Sequence, residues 1–182
     1  MNLTFGRTRD TSGPMMEAAL ALYRSSFPAH ELRLPPDQRD VMGDPRYHFD
    51  LCLLDGALAG LILYWNFGAY FYVEHFCVEP SLRGHGLGTL ILAELAKKGK
   101  PIILEIDPLV DDVAVRRKGF YERCGYVANP FAHIHPPYQA ANSGHELIVM
   151  SFPRSISQAE FDTFTVDLRE KVMKYSEGRR NT

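Results

Sequence analysis

One stretch of this sequence carries more structural information than any other. It reads Phe76-Cys77-Val78-Glu79-Pro80-Ser81-Leu82-Arg83-Gly84-His85-Gly86-Leu87-Gly88. A strand ends in it, a short turn follows, and glycines lead directly into a helix. The N–H groups at a helix N-terminus have no partner inside the helix, and glycines keep side chains away from a pyrophosphate that binds there. The stretch therefore predicts a phosphate-binding loop, with a tight structural turn as the alternative.

Two well-known phosphate loops fit these residues poorly. The Walker signature is absent because no Gly-Lys-Ser/Thr follows the loop. For a dinucleotide loop, Gly84 and Gly86 match the first two glycines, and Glu105 stands about where an acidic ribose ligand is expected. However, Thr89 occupies the third glycine position, and four residues separate the strand from the loop. Neither signature assigns the ligand.

Hydrophobic periodicity predicts the elements around the loop. Strands are expected over residues 3–9, 47–54, 57–67, 70–78, 101–106 and 146–152. Helices are expected over residues 14–27, 30–42, 88–98, 111–124 and from 158 onward, with Pro35 and Pro36 interrupting the second. Asp55-Gly56 favours a tight hairpin turn, and Ser157-x-x-Glu160 is a capping box. This order predicts an α/β (α+β mixed) fold around a mixed sheet.

Composition narrows the class of protein. With 182 residues, 46% hydrophobic and 23% charged, the chain fits one globular domain over residues 1–182, with 155–182 as a C-terminal helical extension. A net charge of -2 gives no bias toward nucleic acid, and the apolar stretches are too short to span a bilayer. No signal peptide is recognisable, and Cys52, Cys77 and Cys124 lie too far apart for a CxxC motif. We therefore expect buried free thiols, a cytoplasmic location, and no nucleic-acid or membrane partner.

The loop and a second segment together resemble the GNAT acetyltransferases. The acetyl-CoA loop of that family reads Arg/Gln-x-x-Gly-x-Gly/Ala, and Arg83, Gly86 and Gly88 match it. The helix segment ending Phe120-Tyr121-x-x-x-Gly125-Tyr126 is similar to the family's Phe-Tyr-x-x-x-Gly-Phe. Two motifs in order on the expected elements are specific where one would be weak.

The resemblance implies a fold, a co-substrate and a set of binding residues. The central sheet would be mostly antiparallel and splayed between strands 4 and 5, with acetyl-CoA pyrophosphate on the loop amides and pantetheine along the edge of strand 4. The implied cofactor-binding residues are Phe76, Cys77, Val78, Arg83, Gly84, His85, Gly86, Leu87, Gly88 and Thr89. An asparagine that family members often carry after the fifth strand is replaced here by Asp107-Pro108, so that contact is not expected.

Acetyl transfer to an amine needs a base for the ammonium, polarisation of the thioester carbonyl, and a proton for the thiolate. The resemblance makes Tyr121 the acid and the Val78 N–H the polarising group. Strand alternation predicts that Glu74 shares a face with Phe76 and Val78, so Glu74 is the first candidate base. An exposed strand carboxylate is the alternative for Glu74, and core packing is the alternative for Tyr121.

The sequence predicts less specific roles for the other polar residues. Glu105 interrupts an apolar strand and is a second candidate base or a wet-face carboxylate, whereas His75 is expected to be structural. The loop with His133, His135 and Tyr138 is expected to line the substrate site, and no metal site is expected because no carboxylate or cysteine completes one.

An acidic pocket would contain Glu74 and Glu105, together with Glu31 or Asp50. The run Arg116-Arg117-Lys118 is expected to be a solvated helix face, with the cofactor 3′-phosphate or nucleic acid as alternatives.

These observations predict an acetyl-CoA-dependent N-acetyltransferase acting on a primary amine of a small molecule or peptide. A non-catalytic acetyl-CoA sensor and a protein that binds another nucleotide remain as alternatives. The acceptor amine and the oligomeric state stay open, although the aromatic strands could pair two copies into a homodimer. Fold alone does not determine the acceptor.

Overall fold

The computed structural model describes residues 2–177, and these form a mixed sheet with helices on both faces. The strands are β1 Leu3–Thr8, β2 Tyr47–Leu54, β3 Ala57–Asn66, β4 Phe71–Val78, β5 Ile102–Ile106, β6 Val127–Ala128, β7 Ile134–His135, β8 His145–Glu146 and β9 Ile148–Phe152. The helices are α1 Pro14–Ser26, α2 Pro35–Val41, α3 Leu87–Ala96, α4 Asp112–Arg123 and α5 Gln158–Asp167. A π-helical turn at Leu168–Val172 and a 3-10 turn at Met173–Tyr175 extend α5.

Seven strands form the main sheet in the order β1-β2-β3-β4-β5-β9-β6, and β7 pairs with β8 in a separate ribbon. All neighbouring pairs are antiparallel except β4 and β5, which run parallel. The predicted fold class, a mixed and mostly antiparallel sheet flanked by helices, is therefore confirmed. The two-stranded ribbon was not predicted, because two-residue strands leave no periodicity to detect.

Local sequence chemistry explains the element boundaries. Asp55 and Gly56 both have positive φ, as a tight two-residue hairpin requires. The Asp111 side chain accepts a hydrogen bond from the Ala114 N–H at 2.7 Å and starts α4, and the Ser157/Glu160 capping box starts α5. The predicted helical segment 30–42 is divided, as expected, into a 3-10 turn at Ala29–Glu31 and helix α2. Pro35 begins α2, because its missing N–H would have no partner in the first turn anyway.

Two apolar clusters lie on opposite faces of the sheet. The first joins α1, α5 and the turns after α5 to one face, and Phe164, Leu168 and Val172 are almost completely buried in it. The second packs α3 and α4 against the other face. Residues 155–177 thus contribute to a core of the sheet, while residues 178–182 of the predicted extension lie outside the described residues. The assignment of one domain to 1–182 stays a prediction.

Two further expectations concern thiols and membranes. Cys52 and Cys77 are buried free thiols, and Cys124 is a half-buried free thiol. Between residues 2 and 177, no helix is both long enough and apolar enough to cross a bilayer.

Candidate active site

The sheet opens between its two parallel strands. Pairing of β4 with β5 runs only from Phe71↔Ile102 to Val73↔Leu104, and the remaining residues of the two strands have no partner across the gap. A cavity of about 1010 Å³ occupies this opening and continues to the start of α3. Backbone N–H and C=O groups that would normally pair with a neighbouring strand are therefore free to bind a ligand.

A β-bulge in β4 lies at this opening. The pairing with β3 shifts between Leu63↔His75 and Tyr64↔Val73, which leaves Glu74 as the extra residue. An extra residue reverses the alternation of side chains. Glu74 and His75 therefore both face the core that contains α1, and Phe76 faces α4, where its ring stacks on Phe120 at 6.5 Å. The prediction that Glu74 shares a face with Phe76 and Val78 was wrong, because strand alternation does not continue through a bulge.

The same bulge changes which N–H groups face the gap. The backbone N–H of Phe71 donates to the carbonyl of Pro101 beside β5, whereas the backbone N–H of Glu79 donates to the carbonyl of Ala59 in β3. Since ladder groups alternate along an antiparallel strand, the N–H groups of Phe76 and Val78 point away from β3 and into the opening. The Val78 carbonyl accepts a hydrogen bond from Arg83 Nε at 3.0 Å, which ties the loop to this strand.

The glycine loop forms the other end of the cavity. Gly84 and Gly86 have φ values of 82° and 77°, which side-chain-bearing residues rarely adopt. Gly86 is the N-cap of α3, and the first helical hydrogen bond is from Leu90 N to Gly86 O. The N–H groups of residues 87–89 therefore lack helical partners and carry the positive end of the helix dipole.

Gly88 is required for close packing rather than for its backbone angles. A Cβ at Gly88 would lie 3.1 Å from the Phe120 ring and 3.5 Å from the Phe76 ring. This glycine therefore lets α3 approach α4 and β4 closely.

All the predicted cofactor-binding residues except His85 line the cavity, and the exposed His85 lies outside the lining. Arg83, Arg116 and Arg123 add positive charge to the lining.

Glu74 is held in a buried network. Its side chain is completely buried, as is that of Arg33, and Arg33 Nη2 lies 2.6 Å from Glu74 Oε1. Tyr138 Oη and Trp65 Nε1 donate to the same carboxylate at 2.6 and 2.8 Å. Burial alone would raise the pKa of Glu74, but Arg33 and these hydrogen bonds outweigh it and lower the pKa to about 2. A carboxylate so stabilised in its charged form is a weak base.

Glu105 lies at the centre of a second cluster, and its side chain is 6% exposed. Tyr72 Oη donates to Oε2 at 2.5 Å, His133 Nε2 hydrogen-bonds Oε1, and His135 Nε2 lies 3.9 Å from Oε2. Burial raises the pKa of Glu105, but these neighbours, His135 first, lower it overall. The carboxylate is therefore charged and faces two imidazoles.

The tautomer of His135 follows from its hydrogen bond. His135 Nδ1 lies 2.6 Å from Pro136 O, and a carbonyl oxygen can only accept, so Nδ1 carries the proton. In the neutral ring, Nε2 then holds a lone pair beside Glu105, at a distance too long for a direct hydrogen bond. His135, Glu105 and Tyr138 all line the cavity, so a donor in the cavity can meet this lone pair.

Tyr121 projects from α4 toward the cavity and lies among aromatic residues. The centre of its ring lies 5.2 Å from the centre of the Phe120 ring and 5.6 Å from that of the Tyr126 ring. Burial raises the pKa of Tyr121 to about 12, so its hydroxyl is protonated at neutral pH and can donate a proton.

Glu31, His145 and Asp107 line the cavity on the side of the His133–His135 loop. Burial, and then the nearby Asp107 carboxylate, raise the pKa of Glu31. Burial, then His135 and His30, lower the pKa of His145. Asp50, the alternative to Glu31 in the predicted acidic pocket, lies on β2 beside His48 and outside the cavity lining.

Sequence reasoning missed several residues of these networks, above all Arg33. Its flanking residues Leu32 and Leu34 were the available signal, because a lone arginine between leucines is a candidate for burial against a carboxylate. Tyr72 and Trp65 gave no such signal, since both lie in aromatic strands where packing alone explains them.

A sheet opened at one parallel strand pair, with a glycine-led helix N-terminus beside the opening, agrees with the fold that the two acetyltransferase motifs imply. The family model described as the acetyltransferase (GNAT) family matches residues 15–126. The chain belongs to that family, and acetyl-CoA is the co-substrate consistent with it.

Individual relatives agree with this assignment. A structure titled "Putative acetyltransferase from GNAT family", from Bacteroides thetaiotaomicron, aligns with a TM-score of 0.87 and 26% identity, covering 93% of this chain and 98% of that one. "Putative acetyltransferase YjbC" of Bacillus subtilis (strain 168) is 35% identical over 99 residues, which is 53% of this chain and 50% of that protein. The match thus spans about half the length of that curated relative.

A third likeness is in fold alone. The ribosomal-protein-S18-alanine N-acetyltransferase of Escherichia coli aligns with a TM-score of 0.57 and 20% identity, covering 86% of this chain and 96% of that one.

Proposed function

We propose that this protein transfers the acetyl group of acetyl-CoA directly to a primary amine of a small molecule or peptide. The observation that carries the proposal is one continuous cavity that joins the free amides of α3 to the Glu105 and His135 cluster. An acyl carrier held at one end would bring its thioester to the proton-accepting groups at the other.

The backbone provides the binding and polarising groups. The N–H groups at the start of α3 bind the pyrophosphate, with Arg83 and Arg116 adding charge. The N–H groups of Phe76 and Val78 face the opening and pair with the pantetheine arm in the manner of an added strand. The Val78 N–H polarises the thioester carbonyl.

His135 is the group we propose as general base. Its Nε2 lone pair accepts a proton from the incoming ammonium, and the charged Glu105 beside it stabilises the imidazolium that results. The amine nitrogen then attacks the carbonyl carbon, and the carbon–sulfur bond breaks. Glu74 holds Tyr138 and Arg33 in place and is proposed as a positioning residue.

Tyr121 is proposed to donate its phenolic proton to the departing thiolate. A phenol with a pKa of about 12 is fully protonated at neutral pH, and it sits in the cavity wall formed by α4. The nitrogen loses a second proton as it becomes an amide; this proton restores Tyr121, and His135 releases the first proton to solvent. The amine thus gains the acetyl group, and coenzyme A leaves as the thiol.

The acceptor is proposed to be cationic before it reacts. Glu31, Asp107 and Glu105 line the acceptor side of the cavity and would attract an ammonium. Among structural neighbours, one is named for an alanine of ribosomal protein S18 and another as an aminoglycoside 6′-N-acetyltransferase crystallised with coenzyme A. The acceptors in these two names are a protein residue and a small molecule, so we propose primary amines as a class.

Calorimetric titration with acetyl-CoA tests the cofactor site. Gly86→Glu places bulk and negative charge among the amides, and we expect it to abolish the micromolar binding of the wild type. Gly99→Glu is the matched control, because Gly99 has φ 76° against 77° for Gly86 and both have open space at the Cβ position. Equal loss in both variants would indicate strain rather than a phosphate site.

Turnover is the second part of the test. A free-thiol assay against a panel of primary amines should detect coenzyme A release in the wild type. Binding without release against every amine would favour the acetyl-CoA sensor, and absence of binding would overturn the proposal. The cytoplasmic location and the homodimer stay predictions.

A further inference from the structure

Three side chains at the acceptor side of the cavity form a cluster of which the proposed reaction uses only the negative charge of Glu31. His30 and Glu31 lie in the 3-10 turn Ala29–Glu31, and His145 lies in β8. One ligand atom from each residue lies within 4.8 Å of the other two. The His30 and His145 rings meet edge to face with centroids 5.5 Å apart, and His30 Nε2 is 3.8 Å from Glu31 Oε1.

The backbone that carries these residues is held from several directions. Within the turn, Glu31 N donates to Pro28 O and Leu32 N donates to Ala29 O. His75 Nε2 donates to Glu31 O at 2.9 Å, and Gln139 Nε2 donates to Ala29 O at 2.8 Å. On the other side, His145 pairs with His135 in the β7–β8 ribbon. Two distant chain segments are thus fixed against each other at the cluster.

We propose that His30, Glu31 and His145 bind a divalent transition-metal ion, with Zn²⁺ the best match. Two imidazoles and one carboxylate form a donor set typical of zinc sites that keep an open coordination position. This inference goes beyond the proposed acetyl transfer and does not depend on it.

The geometry needs only a small adjustment. Ligand atoms of a tetrahedral zinc site lie about 3.4 Å apart, as follows from bonds of about 2.1 Å. The largest separation in the cluster, within 4.8 Å, must therefore shorten by about 1.4 Å at most. The His30 side chain is 51% exposed, so a change of rotamer can bring its imidazole inward without disturbing the core.

The local charges also favour a cation. Glu31 faces the Asp107 carboxylate, and His145 faces two further imidazoles, His30 and His135. Arg117 also acts on Glu31, but it is paired with Asp107, so a divalent ion would add a positive charge that the three ligands themselves do not provide. His133 is not part of the set, because its Nε2 is already bound to Glu105. Because Glu31 and His145 line the cavity, an ion bound by them would lie at its edge.

Titration with Zn²⁺ alone, in the absence of acetyl-CoA, tests the site on chelator-treated full-length protein. We expect one Zn²⁺ per chain, and His145→Ala and His30→Ala should each weaken binding by at least about tenfold, since even outer-shell partners of metal ligands contribute about 10–100-fold. His85→Ala is the matched control, because His85 is another exposed histidine and lies outside the cluster. Circular dichroism without metal checks that each variant is folded.

Substitution with Co²⁺ gives an independent readout. Visible bands of four- or five-coordinate Co²⁺ in the wild type, lost in folded His145→Ala and retained in His85→Ala, would support the site. Unchanged Zn²⁺ affinity in His30→Ala and His145→Ala, or equal weakening in His85→Ala, would overturn it. Neither result bears on acetyl-CoA binding, which the Gly86 experiment measures separately.

Discussion

At the residue scale, the buried pair of Arg33 and Glu74 shows how the environment sets a side chain's role. The arginine also donates to the carbonyls of Tyr175 and Val172, at 3.0 and 3.3 Å, and its guanidinium lies 5.0 Å from the centre of the Tyr138 ring. One cation thus links the turn after α1, the bulge of β4 and the end of the described chain. Removing either partner would leave an uncompensated charge in the core.

Glu74→Gln keeps the shape of the side chain and removes its charge. We expect the free energy of unfolding at about pH 7 to fall by about 3–5 kcal/mol, because Arg33 stays buried without its partner. The folded-state pKa of Glu74, about 2, is below the ordinary value of 4.5, so the wild type loses this stabilisation as pH falls from about 4.5 toward 2. The difference between the two proteins should therefore shrink with falling pH.

Urea unfolding of both proteins across this pH range measures the effect. Glu94→Gln is the control, since its ion pair with Lys97 is exposed and such pairs contribute about 0–1 kcal/mol. A constant difference between wild type and Glu74→Gln down to about pH 2 would contradict the pKa on which the argument rests.

Tyr121→Phe tests the proposed acid. We expect kcat to fall by about 10²–10⁴-fold with little change in KM for acetyl-CoA, because only proton donation is removed. Tyr126→Phe is the matched control: Tyr126 is also buried, touches Tyr121, and has a hydroxyl without a hydrogen-bond partner among the described residues. Similar kinetics for the two variants would assign Tyr121 to core packing.

His135→Asn tests the proposed base. The asparagine amide can still donate to Pro136 O as Nδ1 does, but it offers no lone pair at the position of Nε2. We expect kcat to fall by about 10²-fold or more while calorimetric acetyl-CoA binding is retained. Full kcat in this variant would return the role of base to Glu105 or to a water relay.

At the scale of elements, the opening depends on where helices begin and where pairing stops. Helix α4 brings Arg116 and Tyr121 to the cavity, and its start depends on the Asp111 cap. Helix α3 begins at a left-handed glycine and packs against α4 through Gly88. The Asp111 cap and the glycines of α3 are thus local features that place side chains and N–H groups at the cavity.

Asp111→Ala removes the cap of α4. We expect a loss of about 1 kcal/mol in the free energy of unfolding, because the Ala114 N–H loses its partner. Asp112→Ala is the control, since Asp112 shares the favourable charge of the first turn without serving as the cap. Chemical denaturation compares the two, and equal losses would mean that charge rather than capping stabilises the helix start.

At the scale of the whole molecule, the segment after β9 completes the core that supports the site. Phe164 is completely buried, and its ring lies 5.1 Å from the Tyr72 ring and 5.6 Å from the His133 ring. Those two residues both hold Glu105. The C-terminal helix therefore supports the Glu105 cluster through these two residues.

Phe164→Ala tests whether this segment folds with the rest of the chain. We expect one cooperative unfolding transition in both proteins and a loss of about 3–5 kcal/mol in the variant, the usual cost of a core phenylalanine. Val166→Ala is the control, as Val166 lies on the same helix but is 55% exposed. Separate melting of the C-terminal helix in the wild type would contradict the one-domain prediction.

Local chemistry explains how much could be predicted from the sequence alone. The Asp55-Gly56 hairpin, the capping box at Ser157 and the glycine start of α3 depend on backbone angles and first-turn hydrogen bonds within a few residues. The sequence therefore determined most of the helices and strands, the glycine loop that begins α3 and, through two motifs, the family.

The tertiary structure decided which side chains meet. The register shift at Glu74 reverses which side chains of β4 face each core, and no local pattern in the sequence announces it. Arg33 donates hydrogen bonds to carbonyls that lie 139 and 142 residues away in the sequence, and the His30 ring packs against the His145 ring. Hydrophobic periodicity specifies which face of an element is buried, but the partners on that face depend on how distant elements pack.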